Sequence, residues 1–139
     1  MNRTVRAGFT LVEILIALAI IAIIGAIGIP SYLSYTKKAN KQQTEANIRV
    51  LSAAIESYQT DIGQLPETLE DLVRKPFNEE LAKNWPGNYL KGKTVPKDAW
   101  KHPFHYAVTP GQEHPYELYS YGPNGKSAPQ SEWISVWNL

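Results

Sequence analysis

Gly8-Phe9-Thr10-Leu11-Val12-Glu13 is the stretch that decides the fold. It sets a carboxylate just inside a long apolar segment, after a short leader that carries Arg3 and Arg6. From Ile14 to Ile29 no side chain is charged or able to hydrogen-bond. As a helix, with a rise of about 1.5 Å per residue, that run covers roughly 24 Å, and with Phe9 to Val12 it can cross a bilayer. A lone carboxylate at that depth costs on the order of 2.5–3.5 kcal/mol, so Glu13 points to function and needs a partner. Cleavage between Gly8 and Phe9 would supply one, a new α-amine about one helical turn away.

Beyond this segment, the 139-residue chain has room for one small domain. Its 14 basic and 13 acidic residues give a formal charge of +1, and loss of residues 1–8 would leave 12 against 13. No basic block invites nucleic acid, and there is no acidic tail. Cysteine is absent, so a small domain must find a staple other than a disulfide.

The helix is expected to continue past the membrane segment. Ile48, Leu51, Ile55, Tyr58 and Ile62 recur at steps of three and four among polar residues, one apolar stripe suited to lie on a small sheet. Asp61-Ile62-Gly63-Gln64-Leu65-Pro66 marks the stop. Pro30 lies inside the pattern and cannot donate to the helical ladder, so a kink or local unwinding is expected there, eased by Gly25 and Gly28. Thr68 to Val73 reads as a short capped helix with Thr68 and Asp71 as partners, and Phe77 to Lys83 as another turn or two. Phe104–Val108, Tyr116–Tyr121 and Trp133–Trp137 are aromatic and β-branched enough for strands. The expectation is an α+β fold, a long N-terminal helix packed on a three-stranded antiparallel sheet.

Gly8 to Glu13, the apolar run and Pro30 resemble the class III leader and N-terminal helix of type IV pilins and pseudopilins. Three later segments, Asp61 to Pro66, Pro96 to Trp100 with Pro103 to Tyr106, and Tyr119 to Gly125, narrow the resemblance to the major pseudopilins of type II secretion systems. The resemblance implies a pilin-like fold divided into a leader (1–8), a transmembrane and assembly helix (9–30), an amphipathic half-helix (31–62) and a periplasmic globular region (63–139). It implies that a prepilin peptidase cuts after Gly8 and methylates Phe9, and that Glu13 pairs with the Phe9 amine of a neighbouring subunit. It also implies a homopolymer that meets minor pseudopilins and an inner-membrane assembly platform, and that supports export of folded proteins across the outer membrane. The lysines Lys37, Lys38 and Lys41 nearly balance Arg3 and Arg6, so the placing of the N-terminus inside the inner membrane and the domain in the periplasm comes from the resemblance alone.

Relatives of this kind commonly bind calcium in the loop after the second strand, through an aspartate in a Gly-x-Asp-Gly turn and two adjacent aspartates downstream. This chain carries Asn124 in the turn and Ser131 and Glu132 downstream, with the carbonyls of Leu118 and Tyr121 as further ligands. Calcium affinity tracks the charge of its oxygen ligands, so a tight site is not expected. The expected substitute is Lys126 paired with Glu132, with Trp133 and Trp137 anchoring the loop by apolar burial.

Other signals are weak. His102, His105 and His114 lack the spacing and accompanying ligands of a zinc site. Trp85, Tyr89, Trp100 and Tyr106 are expected in the core rather than on a stacking surface. No catalytic residues stand out, and the chain is expected to be the substrate of an enzyme rather than an enzyme. A secretory signal or a generic single-span anchor shares the basic start and apolar core. Glu13 interrupts such a core, and Gly25-Ala26-Ile27-Gly28 is a poor small-x-small cleavage site. A type IV pilin for motility, adhesion or DNA uptake, a minor pseudopilin, and a membrane-anchored periplasmic binding module remain as alternative functions.

Overall fold

A computed structural model describes residues 8–139 of the chain; Arg3 and Arg6 lie outside the described residues. Helix α1 spans Leu11–Ile62, and α2 spans Glu79–Lys83. Strands β1 (His105–Val108), β2 (Tyr116–Ser120) and β3 (Ile134–Ser135) form one antiparallel sheet in sequential order. Two compact units share α1, the first ending at Lys38 and the second covering Ala39–Leu139.

The first unit is the apolar half of α1. Its most apolar 18-residue window has a mean hydropathy of 2.8, and none of that window is buried within the chain. By length and composition this helix can cross a membrane. The helix runs unbroken through Pro30, which cannot donate to the carbonyl of Ala26, while Ser31 Oγ donates to the Ile27 carbonyl at 3.2 Å.

In the second unit, the stripe read from the sequence is the buried face. Ile48, Leu51, Ile55 and Tyr58 are essentially inaccessible, and Ile62 packs at the margin. The stripe extends backwards to Thr44, one turn before Ile48 and fully buried. Its hydroxyl donates to the Asn40 carbonyl (2.9 Å) and accepts from the Ala99 amide (3.2 Å). Beside it, Asn47 Nδ2 donates to the Lys97 carbonyl (2.9 Å), so two helix side chains hold the 97–99 segment. The helix stops after Ile62, where Gly63 takes a φ of +86° that a side chain would resist.

The sheet completes this core. Along β2, Tyr116, Leu118 and Ser120 are buried and face the helix, with Ser52 Oγ and Tyr116 Oη 3.0 Å apart. Leu72 and Leu69, from a 3₁₀ turn at Leu69–Leu72, close one end of the cluster. The backbone N–H of Thr68 donates to Asp71 Oδ2 at 3.0 Å, one arm of the cap expected from the sequence. Tyr106 Oη donates to the Pro66 carbonyl at 2.8 Å, and burial raises that phenol's pKa above its ordinary value. Trp85, Tyr89, Trp100 and Tyr106 are partly buried against the core, as expected.

The third strand is shorter than the sequence suggests. Only Ile134 and Ser135 pair with β2, through Ser120 and Tyr119. Trp133 ends a 3₁₀ turn at Gln130–Glu132, and Val136 begins another, at Val136–Asn138, whose Trp137 amide donates to Ser135 Oγ. Each tryptophan is tied by its ring nitrogen, Trp133 to the Ala128 carbonyl (3.0 Å) and Trp137 to the Tyr116 carbonyl (2.9 Å).

Candidate functional site

The first candidate site is the start of α1. Thr10 precedes the first helical residue, and Glu13 stands three positions further on. Glu13 Oε2 accepts from the Thr10 backbone N–H at 2.8 Å and from the Thr10 hydroxyl at 3.2 Å. Thr10 Oγ1 in turn accepts from the Glu13 N–H at 3.2 Å. This is a reciprocal capping box, which satisfies two amides that the helix leaves without partners. Its signature, Thr10-x-x-Glu13, stands in the sequence but is overshadowed there by the membrane context. The box holds the carboxylate one peptide unit from the Phe9 nitrogen. A Cβ added to Gly8 would meet no atom within 4 Å, so nothing in the fold described here requires glycine at that position. Phe9 is exposed.

The second candidate site is the loop between β2 and β3. Asn124 Nδ2 donates to Glu132 Oε2 at 3.0 Å, bridging the two sides of the loop. Gly122 takes a φ of +77°, and a Cβ there would lie 3.3 Å from the Glu132 carbonyl oxygen, so the loop closes tightly on a bare backbone. Trp133 stacks on Tyr119 (centroids 4.6 Å apart, 9° between planes) and meets Tyr121 edge-on (5.1 Å, 86°).

Beneath that loop lies a buried carboxylate with no assigned role in the sequence reading. Asp98 Oδ1 accepts from the backbone N–H groups of Trp100 (3.0 Å) and His102 (2.7 Å). Asp98 Oδ2 accepts from the Ser120 hydroxyl at 2.6 Å, and Ser120 Oγ accepts from the Gly122 N–H at 3.0 Å. The network joins the segment before β1 to the end of β2 and into the loop.

The three histidines do not converge. His102 Nδ1 lies 3.3 Å from the Gly122 carbonyl and 3.7 Å from Asp98 Oδ2. His105 Nε2 lies 3.6 Å from Glu117 Oε2, and His114 stacks on Trp137 at 4.1 Å. Among the described residues, no group of three or more His, Cys, Asp or Glu side chains is placed to hold a metal ion.

Residues 31–138 match the family model described as type II secretion system (T2SS), protein G, and residues 3–29 match the prokaryotic N-terminal methylation motif. The chain belongs to the type II secretion system protein G family. It is 36% identical to the type II secretion system core protein G of Pseudomonas aeruginosa over 142 aligned positions, covering 99% of this chain and 98% of that one. Its identity to the core protein G of Escherichia coli K12 is 33%, over 96% of this chain and 92% of the relative. The crystal structure of the major pseudopilin from the type 2 secretion system of enterohaemorrhagic Escherichia coli superposes with a TM-score of 0.63 at 24% identity. That match covers 77% of this chain and 94% of the other, and it shows that the two share the pilin-like fold.

In this loop the residues present are poor in the carboxylates that a calcium site needs. Of the residues at the corresponding positions, only Glu132 is a carboxylate, and it accepts a hydrogen bond from the side-chain NH₂ of Asn124. Ser131 is exposed on the Gln130–Glu132 turn, and Leu118 is a strand residue of the core. One carboxylate engaged by an amide donor does not fit an ion that seeks six to eight oxygens. The expected Lys126–Glu132 pair is not the bridge either: Lys126 sits exposed in the 3₁₀ turn Gly125–Ser127, and Glu132 is held by Asn124. Apolar burial of Trp137 is also less than expected, since it remains 39% exposed and is fixed by its ring hydrogen bond and stacking. Thermal melting of the full chain in detergent is therefore expected to be the same with millimolar calcium as with chelator. A large calcium-dependent rise in Tm would contradict this account of the loop.

Proposed function

We propose that this chain is the major structural subunit of the pseudopilus of a type II secretion system. The observation that carries the proposal is the uninterrupted order of a methylation motif followed by a protein G region, together spanning almost the whole chain. In this reading, residues 1–8 are a leader removed by prepilin peptidase, which then methylates Phe9. Residues 9–30 anchor the subunit in the inner membrane with the domain in the periplasm, and then pack in the filament core. Residues 31–62 carry the amphipathic half of the helix, and residues 63–139 the remaining periplasmic part. Pro30 is the point where the helix yields on assembly.

The subunits add in one repeating heterologous contact that does not close, which generates a filament. The inner-membrane platform receives the subunits, minor pseudopilins join them, and filament growth supports passage of folded proteins through the outer membrane. Glu13 neutralises the Phe9 amine of a neighbour, so that neither charge remains alone in the apolar core. The chain itself carries out no catalysis.

Deleting the gene and scoring secreted enzymes, motility and DNA uptake in parallel tests this reading. Selective loss of secreted enzymes is the expected result. Intact secretion with lost motility or transformation would instead place the subunit in a type IV pilus. A protein that is not cut after Gly8 and forms no filaments would fit a membrane-anchored binding module.

A further inference from the structure

Phe77 is exposed to the full extent of its reference value (105%). Its presentation is fixed on both sides. Pro76 before it is buried, and Asn78 after it caps α2, with Oδ1 accepting the Glu80 N–H at 3.0 Å. An anchored backbone that presents a bare phenyl ring to water leaves its apolar area unburied unless something covers it. Elsewhere in the same unit, a groove of about 320 Å³ lies between α1 and the C-terminal segment, lined by Arg49, Ser52, Ala53, Glu56, Val136 and Leu139. Phe77 does not line this groove. Its apolar walls are Ala53, Val136 and Leu139, and its volume accommodates a single benzyl side chain.

The charges around the two features are complementary. Arg74 and Lys75 precede Phe77, and Glu79 and Glu80 follow it. The groove carries Glu56 and Arg49, two helical turns or roughly 10 Å apart along α1. Among the described residues, none of these six side chains forms an ion pair within the chain. The knob thus carries a basic and an acidic flank, and the hole one acidic and one basic position. A knob on one surface and a complementary hole on another make a heterologous contact that propagates without closing, as a filament requires.

We propose that Phe77 of one subunit inserts into the Ala53–Val136–Leu139 groove of a second copy of this chain. The contact rests on the filament reading above. It adds a subunit-to-subunit lock in the periplasmic part, separate from the membrane helices.

The test is run in cells that assemble the filament, with the full-length protein. Phe77→Ser is expected to leave protein level and melting temperature unchanged, because the ring packs on nothing within its own chain. Sheared filament should fall by about tenfold or more, the loss typical of one interface anchor, and Phe77→Leu should restore most of it. Because the chain has no cysteine, Phe77→Cys combined with Ala53→Cys should give a reducible ladder of covalent dimers, trimers and longer species. Wild-type filaments together with normal Phe77→Ser filaments, or with no ladder in the double variant, would overturn the contact alone. No filaments from the wild-type chain would overturn the filament reading as well.

Discussion

Asp98→Ala should destabilise the Ala39–Leu139 unit by about 3–5 kcal/mol, the scale seen when a buried charge network loses one partner. The side chain of Asp98 is fully inaccessible, and its two oxygens accept from two backbone amides and one hydroxyl. Alanine leaves the Trp100 and His102 N–H groups and the Ser120 hydroxyl without their acceptor in a space that water does not freely reach. Lys101, between them, has a φ of +70°, a left-handed conformation that a lysine holds only when its surroundings impose it. Removing the carboxylate releases that constraint and frees the turn. Asp98→Asn should cost less, about 1–3 kcal/mol, because its remaining oxygen can still accept from the two amides while its NH₂ faces Ser120. With a total stability of about 5–15 kcal/mol for a typical domain, the alanine change removes a large share. Denaturant titration of full-length variants in detergent measures both effects. A loss under about 0.5 kcal/mol for Asp98→Ala would show that the network does not hold the fold.

This carboxylate answers the question raised by the missing cysteines. A loop that lacks both a disulfide and a full set of calcium ligands is held from beneath by Asp98, Ser120 and the Gly122 amide, and the 97–99 segment that carries Asp98 is itself tied to α1 by Thr44 and Asn47. The sequence shows only part of this. The period of α1 exposes Ile48, Leu51, Ile55 and Tyr58 as the core face because burial there depends on helical spacing alone. Thr44 falls on the same spacing, but its polarity hides it, since a hydroxyl enters a core only when partners meet it. Asp98 carries a local sign, its position two residues before the Trp100 amide, as in an Asx turn. What cannot be read locally is that Ser120, 22 residues later, folds over the second oxygen. Charge attraction favoured Lys126 as the partner of Glu132, yet exposed ion pairs contribute little and local turn geometry prevails. The 3₁₀ turn Gly125–Ser127 follows Asn124 directly, and Asn124, not Lys126, meets Glu132. At the helix start the sequence shows Thr10-x-x-Glu13, and the structure adds its reciprocal capping bonds. Glu13 is a carboxylate at the start of a helix apolar and long enough to cross a membrane, and it is also the capping-box partner of Thr10.

That double role makes Glu13 the position where two substitutions separate two causes. Glu13→Ala should leave cleavage after Gly8 intact but reduce filament yield by at least about a hundredfold, the scale of about 3 kcal/mol for an uncompensated charge in an apolar core. Failed insertion cannot account for such a loss, because removing the carboxylate lowers the cost of burying the helix by about 2.5–3.5 kcal/mol. Glu13→Gln keeps the capping geometry, since glutamine serves in the same box as glutamate. It can accept from the Thr10 N–H but cannot neutralise an amine. If charge neutralisation of Phe9 is the assembly step, the glutamine variant should fail as completely as the alanine variant. If the carboxylate acts only by capping α1, glutamine should assemble nearly normally and alanine should suffer the roughly 1 kcal/mol loss of a cap. Leader processing read on a gel and filaments recovered by shearing distinguish these outcomes in one strain background. Normal filament yield from both variants would refute any assembly role for the carboxylate. Failure of both, with processing intact, would place the positive charge of a neighbouring Phe9 amine against Glu13 in the filament core.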